Sequence, residues 1–307
     1  MTFSVIVPTY NRLPLLRRAV ESLVRQTLTD SEIIVVNDGS TDGTDEYLTS
    51  MATTGTIKYL KQHNLGPAAA RNAGLRQASG SYIAYTDDDC VVPAHWLRRF
   101  HDVFENSKVD ILGGVVRNCV ADDMYAGISQ EITNHFVQVL GAGGGSTPFL
   151  TSNNIAYRRE TLKKAGGFDE RFRLAGGEER ALNLRILNGG GSSALIADLV
   201  VDHYHTLRLA GFFRQQFNYG RGAFLLYRVM GRELNVGPRI IPASAYASLV
   251  KSFFRDGTLA GFAKTSLFLV GQGVVVLGFV FESITFPRTA RTHNTQGNEG
   301  CAGNVGQ

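Results

Sequence analysis

The sequence predicts an α/β fold: a mostly parallel, mixed sheet flanked by helices. Two observations predict it: short apolar runs alternate with helical patterns, and polar, turn-rich segments separate them. The 307 residues, 44% hydrophobic and 19% charged, suffice for a sizeable core and exclude wholesale disorder. The three cysteines, Cys90, Cys119 and Cys301, show no CxxC spacing, which excludes a disulfide scaffold and fits a reducing compartment.

The N-terminal part alternates four predicted strands with three predicted helices. The strands are the apolar runs at residues 3–7, 33–36, 57–60 and 82–86. Residues 13–24 form the first helix, because their apolar side chains recur at helical spacing opposite Arg17 and Arg18. Thr44 caps the second helix, and Pro67 suits the first position of the third. This order is typical of βα units.

The remaining chain has a mixed pattern. Strands are predicted near residues 111–116, 149–157 and 199–201, with helices near 130–140, from Glu178, and from Leu209 onward. The glycine-rich residues 141–146 form a loop that is either a mobile lid or a plain connection. These changes predict three regions: an α/β domain over 1–207, a basic and apolar helical region over 208–286, and a polar, disordered tail over 287–307.

Polar segments follow four of the predicted strands, where open α/β sheets bind their ligands. The first, at residues 8–12, lacks the glycines that close on a dinucleotide pyrophosphate, and no P-loop occurs in the chain. This argues against a nicotinamide or flavin dehydrogenase. The aromatic and hydrogen-bonding side chains of this segment suit a base or ribose, with Asp38 on the next strand end, although ordinary turn chemistry explains them equally well.

Asp87, Asp88 and Asp89 follow the fourth strand. A divalent cation relieves the repulsion among three carboxylates, and Mg²⁺ or Mn²⁺ sites that use carboxylates commonly include a phosphate from the substrate. The alternative is a solvated acidic turn. His203 and His205 alternate after the apolar strand at 199–201, and a neutral imidazole is a good Mn²⁺ ligand.

Glu178 and Glu179 open a predicted helix after two glycines. Acidic residues in a first helical turn commonly compensate the helix dipole. The functional alternative is a general base, which is needed wherever a hydroxyl must become nucleophilic near neutral pH.

Charge is unevenly distributed along the chain. Residues 1–202 carry 20 Lys and Arg against 23 Asp and Glu, whereas residues 203–286 carry 9 against 3. Residues 265–281 contain no charge over 17 positions, which lies between a short membrane span and an interfacial or buried helix. Basic charge beside a long apolar segment favours a membrane surface over nucleic acid, at the inner, cytoplasmic face of the cell membrane.

Taken together, these segments resemble the family 2 glycosyltransferases, whose fold is the Rossmann-like GT-A fold. The resemblance covers about residues 3–230 and rests on ordered motifs: Val5-Ile6-Val7-Pro8-Thr9-Tyr10-Asn11-Arg12, Ile33-Ile34-Val35-Val36-Asn37-Asp38-Gly39-Ser40-Thr41-Asp42, Asn64-Leu65-Gly66-Pro67-Ala68-Ala69-Ala70-Arg71-Asn72-Ala73-Gly74, Asp87-Asp88-Asp89, Gly166-Gly167-Phe168-Asp169-Glu170, Gly177-Glu178-Glu179 and Tyr219-Gly220-Arg221-Gly222.

The resemblance implies roles for several of these residues. A nucleotide-binding role falls to Pro8, Thr9, Tyr10, Arg12, Asp38 and Arg71. Asp87 and Asp89 are the outer members of the family's Asp-x-Asp motif, with Asp87 near the ribose or metal, Asp89 on the metal, and Asp88 between them in the donor site. The metal ligands would be Asp89, Asp87 and His203, holding Mn²⁺ or Mg²⁺. Glu179 stands where the family usually has Asp, so either Glu178 or Glu179 would be the catalytic base.

The implied reaction is metal-dependent and inverting. A sugar would move from a nucleotide-diphosphate sugar to a hydroxyl of a glycan or lipid-linked saccharide, as the base removes the proton of that hydroxyl. Three alternatives stay open: transfer to a polyprenyl phosphate, hydrolysis of the donor, and a catalytically silent module that binds sugar nucleotides or glycans. The sequence does not distinguish UDP, GDP or dTDP donors.

Overall fold

The computed structural model describes residues 1–120, 122–141, 147–174, 176–233 and 241–286. Within them, one sheet contains all eight strands: β1 Phe3–Thr9, β2 Ser31–Asn37, β3 Lys58–Lys61, β4 Tyr82–Tyr85, β5 Cys90–Val91, β6 Ile111–Asn118, β7 Ile155–Arg158 and β8 Ser193–His203. The helices are α1 Leu13–Val24, α2 Thr44–Thr53, α3 Pro67–Gln77, α4 Trp96–Glu105, α5 Met124–Gly141, α6 Arg159–Lys164, α7 Glu178–Asn188, α8 Leu209–Glu233, α9 Ala243–Phe253 and α10 Thr258–Thr285.

The strand order is β3-β2-β1-β4-β7-β6-β8-β5. Strands β3, β2, β1 and β4 are parallel, as are β6 and β8, while β7 and β5 run antiparallel to their neighbours. The predicted mixed, mostly parallel sheet is therefore confirmed. Because β1, β2 and β4 point the same way, their carboxyl ends bring the predicted polar segments to one edge of the sheet.

Alternation along β1 divides the core into two layers. Phe3, Val5 and Val7 are fully buried against one set of helices, which includes α1 and α4. Ile6 faces the opposite layer, where α3 and α7 pack. Both faces of the sheet are covered, as the continuous apolar strands require.

The strand predicted over residues 149–157 is shorter than expected, since β7 begins at Ile155. Asn154 is the cause, because its buried side chain donates to the carbonyls of Val115 and Leu199, at 2.9 and 3.0 Å. It also accepts the indole N–H of Trp96 at 2.9 Å. These bonds hold the preceding residues in turns, beside the irregularity between Gly114 and Val115 in β6.

The helix predicted over 130–140 is longer than expected and begins at Met124, where the Asp123 carboxylate accepts the Ala126 N–H at 2.9 Å. The loop predicted over 141–146, apart from Gly141 at the end of α5, and the tail predicted over 287–307 lie outside the described residues.

Helices α8 and α10 pack closely along one another. A Cβ at Gly220 would lie 1.9 Å from the Val275 carbonyl oxygen, and a Cβ at Gly278 would lie 2.1 Å from that of Phe217. Glycine is therefore required at both crossings. Helix α10 is long and apolar enough to cross a bilayer by length and composition, yet little of its most apolar stretch is buried in the structure.

Candidate active site

A cleft of about 210 Å³ opens at the carboxyl ends of β4, β6 and β8, between α5, α7 and α8. Its side chains are mostly polar: Arg12, Arg71, Asp87, Asp89, Asn118, Ser129, Gln130, Thr133, Thr151, Ser152, Asn153, Glu178, Glu179, His203, His205, Gln215 and Tyr219. One wall carries the aspartates that follow β4, here called the aspartate wall. The other carries the glutamates that open α7, here called the glutamate wall. This lining suits a polar ligand.

Basic side chains contact the carboxylates of the aspartate wall. Asp89 is buried and accepts Arg12 Nη1 at 2.7 Å and lies 3.2 Å from His203 Nε2. Burial alone would raise the pKa of Asp89, but hydrogen bonds from His203 and His205 and the Arg12 charge hold it well below its usual range. Asp87 is paired with Arg71 Nη2 at 2.8 Å. Both carboxylates are therefore paired with basic side chains, and both line the cleft.

Asp88 points away from the cleft. Its buried carboxylate accepts the Thr9 hydroxyl at 2.7 Å and Arg12 Nη1 at 3.1 Å. Burial raises the pKa of Asp88, with the charge of Asp89 adding to the shift and that of Arg12 opposing it. Asp88 thus links β1 to the aspartate wall.

The orientation of His203 is set by a side chain of α5. His203 Nδ1 lies 3.1 Å from Gln130 Oε1, so Nδ1 carries the proton that it donates to this oxygen. Nε2, which faces Asp89, then either carries a second proton or offers its lone pair to a cation. The His205 ring stacks on that of His203 with centroids 5.3 Å apart, and its Nδ1 lies 3.8 Å from Asp89.

These residues fit a divalent metal. Asp89, Cys90 and His203 each place one ligand atom within 4.8 Å of the others. Burial raises the pKa of the Cys90 thiol well above its usual value, so Cys90 stays protonated and is a poor ligand. The remaining donors are a carboxylate oxygen and an imidazole nitrogen, with the Asp87 carboxylate on the same wall. This set suits Mn²⁺, and suits Mg²⁺ through its oxygens.

The two glutamates have different surroundings. Glu178 is buried, pairs with Arg71 Nη1 at 3.1 Å and accepts the Gly176 N–H at 2.7 Å. Glu179 also lies at the cleft, but within the described chain no other residue holds its carboxylate by a hydrogen bond. Burial, and secondarily the charge of Glu178, raises the pKa of Glu179 to about 7. Such a carboxyl group exchanges protons near neutral pH.

Glycines fix the glutamate wall in place. Gly177 precedes α7 at φ 106°, a conformation that side chains disfavour. A Cβ at Gly222 of α8 would lie 1.7 Å from the Gly176 carbonyl oxygen. Helix α8 therefore packs directly on the turn that presents Glu178 and Glu179.

The predicted nucleotide-binding residues fall into two groups. Arg12, Arg71 and Asp87 line the cleft, whereas Pro8, Thr9, Tyr10, Asp38 and Asp88 lie beside it. Asp38 is buried and accepts the N–H groups of Leu65 and Gly66, both at 2.9 Å, and the Gln62 amide at 2.7 Å. Asp38 thereby shapes the turn before α3. Tyr10 is exposed beside it.

Sequence reasoning missed most of the polar side chains that α5 and α8 bring to the cleft. On α5 they are Ser129, Gln130 and Thr133, and on α8 it is Gln215; Tyr219 of α8 belongs to a motif of the resemblance but was given no role. Ser129 donates to Gln215 Oε1 at 2.7 Å, which joins the two helices. The available signal was the recurrence of small and polar residues at helical spacing along α5.

The chain resembles known proteins in sequence. The profile of glycosyl transferase family 2 matches residues 4–166, just over half of the chain. An uncharacterised glycosyltransferase of Nostoc sp. is 34% identical over 55% of this chain and 54% of its own length. The chondroitin synthase of Escherichia coli is 27% identical over 61% of this chain and 32% of its own length. The chain thus spans about half, or less, of these relatives.

Solved structures share the fold. A mannosyltransferase of Pyrobaculum calidifontis, solved with GDP-Man and Mn²⁺, superposes with a TM-score of 0.65 at 20% identity, over 93% of this chain and 88% of the other. Staphylococcus aureus TarS 1-349 with UDP-GlcNAc gives a TM-score of 0.56 at 19% identity, over 91% and 82%. The predicted GT-A fold is confirmed, and with it the family profile shows that this chain belongs to the family 2 glycosyltransferases.

Proposed function

We propose that this glycosyltransferase moves a sugar from a nucleotide-diphosphate sugar to an acceptor hydroxyl, with inversion at the anomeric carbon. One observation carries the proposal. In a single cleft, aspartates that are paired with arginines lie opposite Glu179, whose carboxylate no other described residue holds by a hydrogen bond. Two GT-A proteins of the same fold hold GDP-Man and UDP-GlcNAc, which supports a donor of this class.

Asp89 and His203, with Asp87 beside them, would hold Mn²⁺ or Mg²⁺. When bound, the ion would neutralise charge on the diphosphate leaving group. Gln130 Oε1 accepts a hydrogen bond from the Nδ1–H group of His203 and so directs Nε2 toward Asp89. Arg12 and Arg71 bring further positive charge to the same wall and orient the carboxylates. Mn²⁺ in the Pyrobaculum structure supports this assignment.

Glu179 would be the catalytic base. Its carboxylate lies in the cleft with a pKa of about 7, so it is half ionised near neutral pH and takes a proton from the acceptor hydroxyl as that oxygen attacks. Glu178 would hold Arg71 and the Gly176 turn, because both its oxygens already accept hydrogen bonds. The neighbouring carboxylate of Glu178 is held by Arg71 and by the Gly176 N–H and so is not available as a nucleophile, which supports inversion.

The acceptor would be a glycan or a lipid-linked saccharide. The uncharged Thr, Ser, Asn and Gln side chains of α5, α8 and residues 151–153 suit sugar hydroxyls. A polyprenyl-phosphate acceptor is the second candidate, since such an acceptor is already anionic and needs no base. Full activity of Glu179→Gln would favour it.

Association with the inner face of the cell membrane is part of the proposal. Helix α10 exposes large apolar side chains along its length: Leu259, Phe262, Leu269, Val270, Val276, Leu277, Val280, Phe281 and Ile284. Its opposite side packs on α8, where the buried Gln216 lies beside Gly271 at the middle of α10 and would enter the hydrocarbon if α10 spanned the bilayer. We therefore place α10 in the plane of the interface. Full-length protein that stays wholly soluble in detergent-free fractionation would contradict this placement.

The experiment that tests the proposed function is calorimetric binding of UDP, GDP and dTDP, with and without Mn²⁺. Wild type should bind one nucleotide more tightly with the metal, and Asp89→Ala should abolish the metal dependence. Folded protein that shows no metal-linked binding of any of the three would contradict the proposed donor site and favour a silent module. Product analysis with the matching sugar donor separates transfer from hydrolysis.

A further inference from the structure

A second pocket, of about 140 Å³, borders Gly222, the α8 residue that packs on the turn carrying Gly176. It is formed by residues 171–174, by α8 and by the C-terminal part of α10. Three arginines line it, Arg171, Arg173 and Arg221, with Glu282 as the acidic group.

The pocket has a surplus of positive charge. Glu282 accepts Arg221 Nε at 2.5 Å, so its charge is compensated within the pocket. Arg171 holds Asp169, which lies outside the pocket lining. Arg173 is exposed, and within the described chain its guanidinium makes no hydrogen bond or ion pair. The Asn218 side-chain amide also makes no hydrogen bond to any other described residue, so it is free to donate. These donors match an anion with several oxygens.

Exposed apolar side chains accompany this pocket. Leu174, which lines it, is 42% exposed, and Phe281 and Ile284, one and two residues from Glu282 along α10, are 45% and 77% exposed. Arginines beside exposed apolar residues are the combination that meets the headgroup layer of a membrane, with the apolar groups below and the cations level with the phosphates.

We propose that the pocket binds the phosphate group of an anionic membrane lipid. Arg173 and Arg221 would donate to the phosphate oxygens, and Asn218 would add a neutral donor, while Leu174, Phe281 and Ile284 contact the acyl region. The inference rests on the membrane-facing placement of α10 and not on the donor chemistry of the cleft. Gly222, which lines the pocket, also packs on the Gly176 turn that precedes the glutamate wall.

Sedimentation with vesicles tests this site. The full-length protein is mixed with phosphatidylcholine vesicles that either contain or lack phosphatidic acid. Wild type should prefer the vesicles with phosphatidic acid, and Arg173→Ala should weaken that binding about five- to tenfold. The matched control is Arg25→Ala, which removes the same charge from a side chain 71% exposed at the end of α1. Its binding should change less than about twofold.

Equal binding of the two variants, or no preference of wild type for phosphatidic acid, would overturn the inference. A second arm uses inorganic phosphate without vesicles and follows thermal unfolding. Stabilisation by phosphate that Arg173→Ala abolishes, with no preference among vesicles, would assign the pocket to a soluble phosphate and overturn the lipid assignment. Metal-dependent nucleotide binding, measured on the same preparations, separates a failure of this inference from a failure of the proposed function.

Discussion

The two walls of the cleft use carboxylates in opposite ways. On the aspartate wall, Asp87 and Asp89 are each paired with a basic side chain, and the pKa of Asp89 falls well below its usual range. On the glutamate wall, Glu178 is paired but Glu179 is not, and the pKa of Glu179 rises to about 7. Charge that is already compensated can hold a cation or shape the site, whereas an uncompensated carboxyl group can exchange a proton.

The adjacent glutamates make this difference especially clear. Glu178 and Glu179 share one helical turn and one dipole, so neither effect distinguishes them. What distinguishes them is Arg71, which reaches from α3 to Glu178 and to Asp87, whereas no other described residue holds the Glu179 carboxylate by a hydrogen bond. Arg71 therefore connects the two walls, and its pairing with Glu178 is the reason that we propose Glu179 as the base.

Removing the charge of Glu179 should have the largest effect on activity. We expect Glu179→Gln to lower kcat by about 10²–10⁴-fold, because no other carboxylate on this wall can take the acceptor proton. Metal-dependent nucleotide binding should stay within about twofold of wild type, since Glu179 does not contact the aspartate wall. Initial rates and calorimetry on the same preparation measure both quantities. If Glu179→Gln keeps its activity, Glu179 is not the base that the comparison of the two walls predicts, and a polyprenyl-phosphate acceptor is favoured.

Removing Glu178 should affect folding. We expect Glu178→Ala to lower the free energy of unfolding by about 3 kcal/mol, because the buried Arg71 guanidinium and the Gly176 N–H both lose an acceptor. Denaturant unfolding measures this change. A matched exposed variant, Glu21→Ala, breaks only a surface pair with Arg25 and should change stability by less than about 1 kcal/mol. Similar losses in the two variants would contradict the structural role of Glu178.

Gln130 tests how the aspartate wall is oriented. We expect Gln130→Leu to weaken Mn²⁺ binding about 10- to 100-fold, because His203 loses the oxygen that fixes its Nδ1 proton. Electron paramagnetic resonance of free Mn²⁺ gives the affinity without a substrate. Gln130→Glu keeps an acceptor oxygen and should retain binding. If Gln130→Leu and Gln130→Glu bind Mn²⁺ equally well, Gln130 does not orient His203.

The pH dependence of activity follows from Glu179. Its carboxyl group must be ionised to accept a proton, and its pKa is raised from 4.5 to about 7, so kcat/KM should rise tenfold per unit up to about pH 7 and then level off. The profile is measured over a range in which the fold is stable. A rate that is already constant at pH 5.5 would assign the base to a group with an ordinary carboxyl pKa, such as a paired carboxylate.

The raised pKa of Glu179 also affects the stability of the fold, though less than Glu178 does. The ionised Glu179 carboxylate lowers the free energy of unfolding, whereas Glu178 raises it. A carboxyl group whose pKa is raised by folding stabilises the fold fully below its unfolded value of 4.5, and this contribution is lost as the pH rises through about 7. Glu179→Gln should therefore be about 1 kcal/mol more stable than wild type at pH 8 and not at pH 4. Thermal unfolding at the two values checks this. A variant less stable than wild type at pH 8 would mean that Glu179 is a paired, structural group.

Much of the fold was predictable because buried parallel strands appear as continuous apolar runs. β1, β2 and β4 follow this pattern, and their carboxyl ends carry the motifs that indicated the donor site. The late start of the strand predicted near 149–157, which begins only at Ile155, was not predictable. It depends on Asn154, whose partners Trp96, Val115 and Leu199 are remote in sequence.

The roles within the site were only partly predictable for the same reason. Adjacent residues such as Glu178 and Glu179 look equivalent until the fold brings Arg71, over 100 positions earlier, into contact with one of them. Gln130 belongs to none of the sequence motifs, and its orienting role is inferred only from its contact with His203. Local motifs therefore predicted the candidate site residues, whereas the tertiary contacts that hold each of them in place required the structure.

The most direct test of the division between the two walls compares Asp89→Asn with Glu179→Gln in one assay. Calorimetric binding of the nucleotide that wild type prefers is measured for each variant with and without Mn²⁺, after unfolding curves show that both are folded. We predict that Asp89→Asn loses the metal-dependent part of binding and that Glu179→Gln keeps it while losing turnover. Loss of metal-dependent binding in both variants, or in Glu179→Gln alone, would contradict the account.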